Sequence, residues 1–315
     1  AIAYYRQAMA TAQELDDPEI LAATGAALGQ SIVLHGRMGE AVRILGVAIP
    51  ALEKNGDWTQ WHLAMIYYSG ALVLIGECRE GIAQAERAYA RAQSSGYLDG
   101  MARGAMAQFL AYVCAGAFDR AQAILEKAIE LNEQTKKWLN VVMLYETRGL
   151  LDSRVGLHDV ARAHWDKGYA LWKTYVPDSR LRRSVWTTNR AMIELNAGDF
   201  EQAISFAYQA LEGTVQSQDL AAQGLAHRVL AIARARQQPP RDQESEAHFA
   251  EGLRALEEGE VWLEVARTHA EWGKALYARG NLTAAREHLE KAARQFELSE
   301  LENELNEVRK YLAKL

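Results

Sequence analysis

A chain of 315 residues that is 49% hydrophobic can bury a continuous core, and only 5 prolines interrupt it, so long helices are open to it. Its net charge of −6 lacks the basic footprint of general nucleic-acid binding, and no stretch approaches the ~20 apolar residues of a membrane span. Cys78 and Cys114, the only cysteines, are too few for a disulfide framework and read as buried thiols of a cytoplasmic protein.

The chain opens AIAYYRQAMA, with Ala1, Tyr5 and Ala8 standing 40 residues before Ala41, Leu45 and Ala48. Residues 1–18 therefore read as the second half of a truncated repeat, in a segment of a longer polypeptide. Glycines follow at Gly36, Gly76, Gly116 and Gly156, again 40 residues apart, and the pattern continues at Gly198 and Gly280. Five residues after each comes a small residue (Ala41, Gly81, Ala121, Ala161, Ala203, Ala285), and seven further on another (Ala48, Ala88, Ala128, Gly168, Ala210, Ala292). Agreement of several columns at one period marks a repeat protein.

Each glycine suits the left-handed end of a first helix, and the small residues set a close seam between two helices. A third small column, Gly29, Ser69, Gly149, Ala191 and Gly273, precedes the glycines by seven residues, with Phe109 the exception. Asp119 with Gln122, and Asp199 with Gln202, have capping-box spacing for the second helices. Seven helix pairs are predicted over 19–297. The sixth carries a Pro-Pro insertion at 237–244, QQPPRDQE, after which its second helix is expected to resume near Ala247. That insertion reads as a tolerated loop or as a binding loop. Over 298–315, Leu298, Leu301, Leu305, Val308, Leu312 and Leu315 space an amphipathic helix, either a cap on the last core face or a coiled-coil dimer seam. The oligomeric state stays open.

This pattern resembles the tetratricopeptide repeat, with its small residues at three fixed positions of a helix pair. The resemblance covers essentially the whole chain and implies an all-α, right-handed superhelical solenoid of antiparallel helix pairs with a C-terminal capping helix. It also implies that first helices line a concave groove. Transferred by register, the groove columns give Leu63, Ile66, Arg103, Met106, Glu146, Arg154, Asn189, Arg228, Arg236 and Arg267 as candidate binding residues. The strip is apolar early and basic late. It reads either as inter-pair packing with a solvated basic face, or as a graded groove for an extended peptide whose acidic end meets arginine forks. Members of the family that clamp a peptide carboxylate use Lys and Asn; Asn189, Asn196 and Lys274 do not form that arrangement. Trp58 and Trp138 share one column at the starts of first helices, and Trp165 falls in a core column. Trp172, Tyr175 and Trp186 flank the Val176–Pro177–Asp178 join, as packing or as a stacking surface for a planar ligand. Ser179–Ser184, SRLRRS, is a short basic patch beside them.

The chain has no phosphate-binding loop, no H-E-x-x-H, no cysteine pair at metal-ligand spacing and no nucleophile constellation. It is therefore read as a non-enzyme without cofactor or metal, and His62, His227 and His269 as structural histidines of first helices. The last third, with its ARTHAEWGKALYARGNLTAAREHLEKAARQFE wording, is similar to the C-terminal arrays of bacterial STAND-class signalling ATPases, maltose-regulator-like activators and cyclase–ATPase fusions among them. That resemblance implies a sensor and autoinhibitory scaffold whose partner is a protein or peptide, including upstream domains of the same polypeptide. A stand-alone scaffold and a small-ligand receptor using groove aromatics are the alternatives.

Overall fold

The computed structural model describes residues 2–177 and 183–315, and the described residues form sixteen α-helices and no strand. Two compact units divide the chain after Leu144. The first holds α1 (Ile2–Glu14), α2 (Pro18–Val33), α3 (Met38–Asn55), α4 (Trp58–Leu74), α5 (Cys78–Ser95), α6 (Leu98–Cys114), α7 (Phe118–Gln134) and the start of α8 (Trp138–Arg154). The second continues α8 and adds α9 (His158–Tyr175), α10 (Arg183–Ala197), α11 (Phe200–Ser217), α12 (Leu220–Arg236) and α13 (Asp242–Glu258). It ends with α14 (Trp262–Ala278), α15 (Leu282–Leu298) and α16 (Glu302–Leu312). Of the SRLRRS patch, residues 179–182 lie outside the described residues, as does the side chain of Arg183.

Small side chains let the paired helices approach. A Cβ on Gly29 would lie 2.5 Å from Leu45 Cγ, and one on Gly273 would lie 2.7 Å from Leu289 Cγ. Ala41, Ala121, Ala203 and Ala285 are fully buried in the same seam, where large neighbours interlock with them at close-packed density. The third pair fills the column of Gly29 and Gly273 with Phe109, also fully buried. Around the Val176–Pro177 join, Trp165 stacks on Tyr169 at 5.4 Å and meets Trp186 at 4.8 Å, while Tyr169 stacks on Trp172 at 5.7 Å. These rings pack on one another between α9 and α10.

The repeat glycines turn the chain as their spacing predicts. Gly36, Gly76, Gly116, Gly156, Gly198 and Gly280 have φ between 69° and 102°, a region that costs a side-chain-bearing residue about 1–2 kcal/mol. The joins from a second helix to the next first helix use the same conformation. There Gly56 and Gly96 serve in two copies, but Asp16, Lys136, Gln218, Glu260 and Glu300 adopt φ of 52–57° without being glycine.

One of the two predicted capping boxes is corrected. Asp199 does cap α11, accepting from the Gln202 backbone N–H at 3.1 Å. Asp119 does not cap α7, because the cap position follows the glycine directly and is held by Ala117, with no side-chain cap bond. Asp119 instead sits in the first turn, exposed, where its charge only favours the helix dipole. Asp199→Ala is therefore expected to cost about 1 kcal/mol and Asp119→Ala no more than about 0.5 kcal/mol, as read from urea midpoints of the two variants. Equal losses would show that the cap assignment is wrong.

Two more expectations shift. The sixth pair's second helix starts at Asp242, not near Ala247, so the helical break is confined to residues 237–241. Asp242 and Glu244 in its first turn complement the helix dipole. At the C-terminus, Leu301, Leu305 and Val308 are buried, but Leu298 ends α15 and is 78% exposed. The left-handed Glu300 separates them, so Leu298 does not belong to the α16 face.

Candidate functional site

The first helices of the second unit bring their basic residues to one concave place. Arg228, Ile232 and Arg236 stand on α12 at intervals of four, hence on one face. On α14, Glu264, Arg267, Glu271 and Lys274 follow at intervals of three, four and three, another single face. Arg154 is the last residue of α8, and Asn196 lies near the end of α10. Glu304 and Glu307 face them from α16. Together they surround a cavity of about 300 Å³ whose apolar floor includes Met192, Leu195, Val229 and Ile232. A neighbouring cavity of about 330 Å³ shares Ile232, Arg236, Glu271 and Lys274, and is bordered by Pro240 and Tyr311.

The charges form an alternating chain. Arg228 Nη1 lies 2.6 Å from Glu264 Oε2, and Arg267 donates to Glu264 Oε1 at 2.7 Å. Arg267 also donates to Glu304 Oε1 at 3.1 Å. Lys274 donates to Glu271 at 2.9 Å and to Glu307, and Arg236 lies 3.9 Å from Glu271. Burial alone would raise the Glu264 pKa, but Arg228 and Arg267 outweigh it and bring it down to about 2. Burial likewise opposes charge on Arg267 and Lys274, and their carboxylate partners reverse the effect, so both pKa values are raised. Arg154 differs. Its side chain is exposed, yet burial by the surrounding protein and the like charges of Arg267 and Arg228 lower its pKa. Five cations (Arg154, Arg228, Arg236, Arg267, Lys274) meet four carboxylates (Glu264, Glu271, Glu304, Glu307), so the cavity is mixed in charge with a cationic excess.

The ten sequence candidates thus separate into three groups. Arg154, Arg228, Arg236 and Arg267 line this cavity. Glu146 and Asn189 are buried and hydrogen-bonded to each other, the Asn189 amide donating to the carboxylate between α8 and α10, and do not line it. In the first unit Ile66 is 6% exposed and Met106 not at all, so both are core rather than groove, with Leu63 half-buried beside them. Arg103 is committed to Asp99 on its own helix at 3.0 Å. Lys274 and the four glutamates are cavity residues outside the transferred columns, and the three-four-three charge spacing along α14 is the signal that marks three of them. Asn196 donates to Ser153 at 3.0 Å at the cavity's edge.

Two histidine pairs lie in the same unit. His227 and His248 approach with their Nδ1 atoms 3.0 Å apart, and His269 and His288 with theirs at 2.8 Å. A neutral pair can share one proton at that distance, whereas two imidazolium rings cannot. Burial, with the neighbouring imidazole, lowers the pKa of His227 and His269 to about 4; burial, with Lys291, lowers that of His288 to about 4.

No family model matches the chain, and no curated protein does. Solved structures do. The Rap conjugation gene regulator of plasmid pLS20, in complex with the Phr* peptide, is 15% identical with a TM-score of 0.69, covering 89% of this chain and 74% of its own. A Rap protein complexed with Competence and Sporulation Factor is 11% identical with a TM-score of 0.65, over 94% of this chain and 76% of that one. The apo form of RapI is 12% identical with a TM-score of 0.55, over 88% and 93%. At such identities the likeness is one of fold, and it places the chain among the tetratricopeptide-like helical-repeat solenoids.

Proposed function

We propose that this chain is a non-catalytic interaction array that binds a peptide, or a segment of a partner protein, in the cavity of its second unit. The observation that carries the reading is the cavity itself: arginine forks from the first helices α8, α12 and α14 over an apolar floor, open to solvent at Arg154 and Arg236. Apolar walls with a few convergent polar groups are what ligand sites are made of. Guanidinium forks add recognition of carboxylates. Two structures of the same fold are complexes, one with the Phr* peptide and one with Competence and Sporulation Factor, which supports a peptide-sized occupant.

The test is a random dodecapeptide library panned on the full chain. Selected peptides should lose about tenfold or more in affinity when Arg154→Glu and Arg236→Glu are combined. That pair is preferable to any variant of Arg228 or Arg267, because those two neutralise the buried Glu264 and their loss would unsettle the fold. Peptides that bind the variant undiminished would place the site elsewhere.

A finer reading makes the array the regulatory region of a STAND-class signalling ATPase, with upstream domains of the same polypeptide as its partner. The wording of the last third supports it. A phosphate-binding loop encoded upstream of Ala1 in the reading frame is the observation it requires. A scaffold with no such module is the alternative.

A further inference from the structure

Resting on that reading, we propose that Glu304 and Glu307 of α16 are built-in stand-ins for the ligand's own carboxylates, and that the ligand is an acidic, amphipathic segment which takes Arg267 and Lys274 from them. The four cavity carboxylates differ in origin. Glu264 and Glu271 come from α14, the helix that also carries Arg267 and Lys274, and belong to the fixed wall. Glu304 and Glu307 arrive from the terminal helix, three residues apart on one face, and reach the cations of the wall, Arg267 for the first and Lys274 for the second.

Their side chains are 25% and 56% exposed, so both can swing into water without uncovering the core. Leu305 and Val308, not the glutamates, hold α16 to the body. The cavity of about 300 Å³ exists with α16 in place, so a ligand need not expel the helix. Without the two α16 carboxylates, five cations would face two, a balance that favours an anionic occupant. Arg267 and Lys274 are seven residues apart on α14, about 10.5 Å along its axis, a spacing bracketed by residues two and four places apart on one face of an extended chain, about 6.6 and 13 Å. Alternating acidic and apolar residues would therefore set carboxylates on Arg267 and Lys274 and apolar side chains on the floor.

The probe is a fluorescein-labelled nonapeptide of alternating Glu and Leu, compared with its Gln–Leu twin, titrated by anisotropy into the full chain. Glu304→Gln combined with Glu307→Gln should bind the acidic peptide at least about tenfold more tightly than the native chain, and the gain should shrink as salt rises. The Gln–Leu twin should show no such gain. Amide exchange over residues 302–312 of the native chain should stay slow without peptide and be unchanged in the variant, which separates released charge from an unfolded helix. Equal affinity of native chain and variant, no binding of the acidic peptide to the variant, or an equal gain for both peptides would overturn the stand-in role. Library peptides that need Arg154 and Arg236 but ignore Glu304→Gln with Glu307→Gln would remove this inference and leave the proposed function standing.

Discussion

Glu264→Gln is expected to lower the unfolding free energy by about 3–5 kcal/mol, the cost of breaking a buried ion pair from one side. Glu264 is 8% exposed and serves two guanidinium groups at once, Arg228 at 2.6 Å and Arg267 at 2.7 Å. The amide keeps the volume and can accept one hydrogen bond, but it leaves two closely placed cations without their shared anion. Exposed pairs elsewhere set the contrast. Lys127–Glu130, roughly half exposed on both sides, should be worth less than about 0.5 kcal/mol, as surface pairs one helical turn apart are. Urea unfolding of Glu264→Gln beside Glu130→Gln measures both. A loss at Glu264 no larger than at Glu130 would mean that the buried network contributes specificity without stability.

Acid should destabilise the native chain in two stages. The first belongs to the histidine pairs. Their folded pKa values lie near 4, below the ordinary 6.5, for His227, His269 and His288, and that of His248 is also lowered. Between pH 6.5 and 4 the unfolded chain therefore binds protons that the folded chain refuses, and stability falls as the pH falls. A depression of that size is worth on the order of 3 kcal/mol for a single fully buried imidazole, and less where solvent reaches the ring. Lys291 beside the second pair, and Arg234 and Arg254 near the first, oppose imidazolium further, with Glu244 and Glu251 acting the other way. The second stage is Glu264, whose folded pKa of about 2 sits below its ordinary 4.5. Its contribution is complete above pH 4.5 and is lost as the pH falls towards 2. Urea midpoints measured from pH 7.5 to 3.5 should show the first decline, and His269→Gln with His288→Gln should remove about half of its slope. A native midpoint that is flat from pH 7 to 4.5 would contradict the neutral assignment of the pairs.

The repeat was legible because its glycines are forced: a left-handed turn at Gly36 or Gly116 leaves few other residues that fit. The alternate joins were not legible in the same way. Lys136, Gln218 and Glu260 adopt the same turn under tertiary constraint, and nothing in their side chains announces it. The cap at Asp199 was readable and that at Asp119 was not, since a two-residue offset separates a cap from a first-turn carboxylate. In the site, the arginines of α8, α12 and α14 fell in the transferred columns. Their acidic partners did not, because those columns sample three positions of each first helix, and on α14 Glu264 precedes them while Glu271 lies between two of them. Glu304 and Glu307 were hidden behind the leucine spacing of α16. Ile66 and Met106 sit on α4 and α6, helices buried on most sides, where periodicity cannot separate a groove face from a packed one.

The run Arg228–Glu264–Arg267–Glu304 carries a further consequence for how the array comes apart. In a linear array each helix pair is held chiefly by its immediate neighbours, and the ends fray first. Here one ionic thread passes from α12 through α14 to α16, tying the penultimate repeat to the terminal helix. Fraying of the last segment is therefore coupled to the state of the cavity. A ligand that enters it acts on cooperativity as well as on occupancy: by mass action it stabilises only the joined form, and the last three helical layers would then melt together rather than peel away in turn.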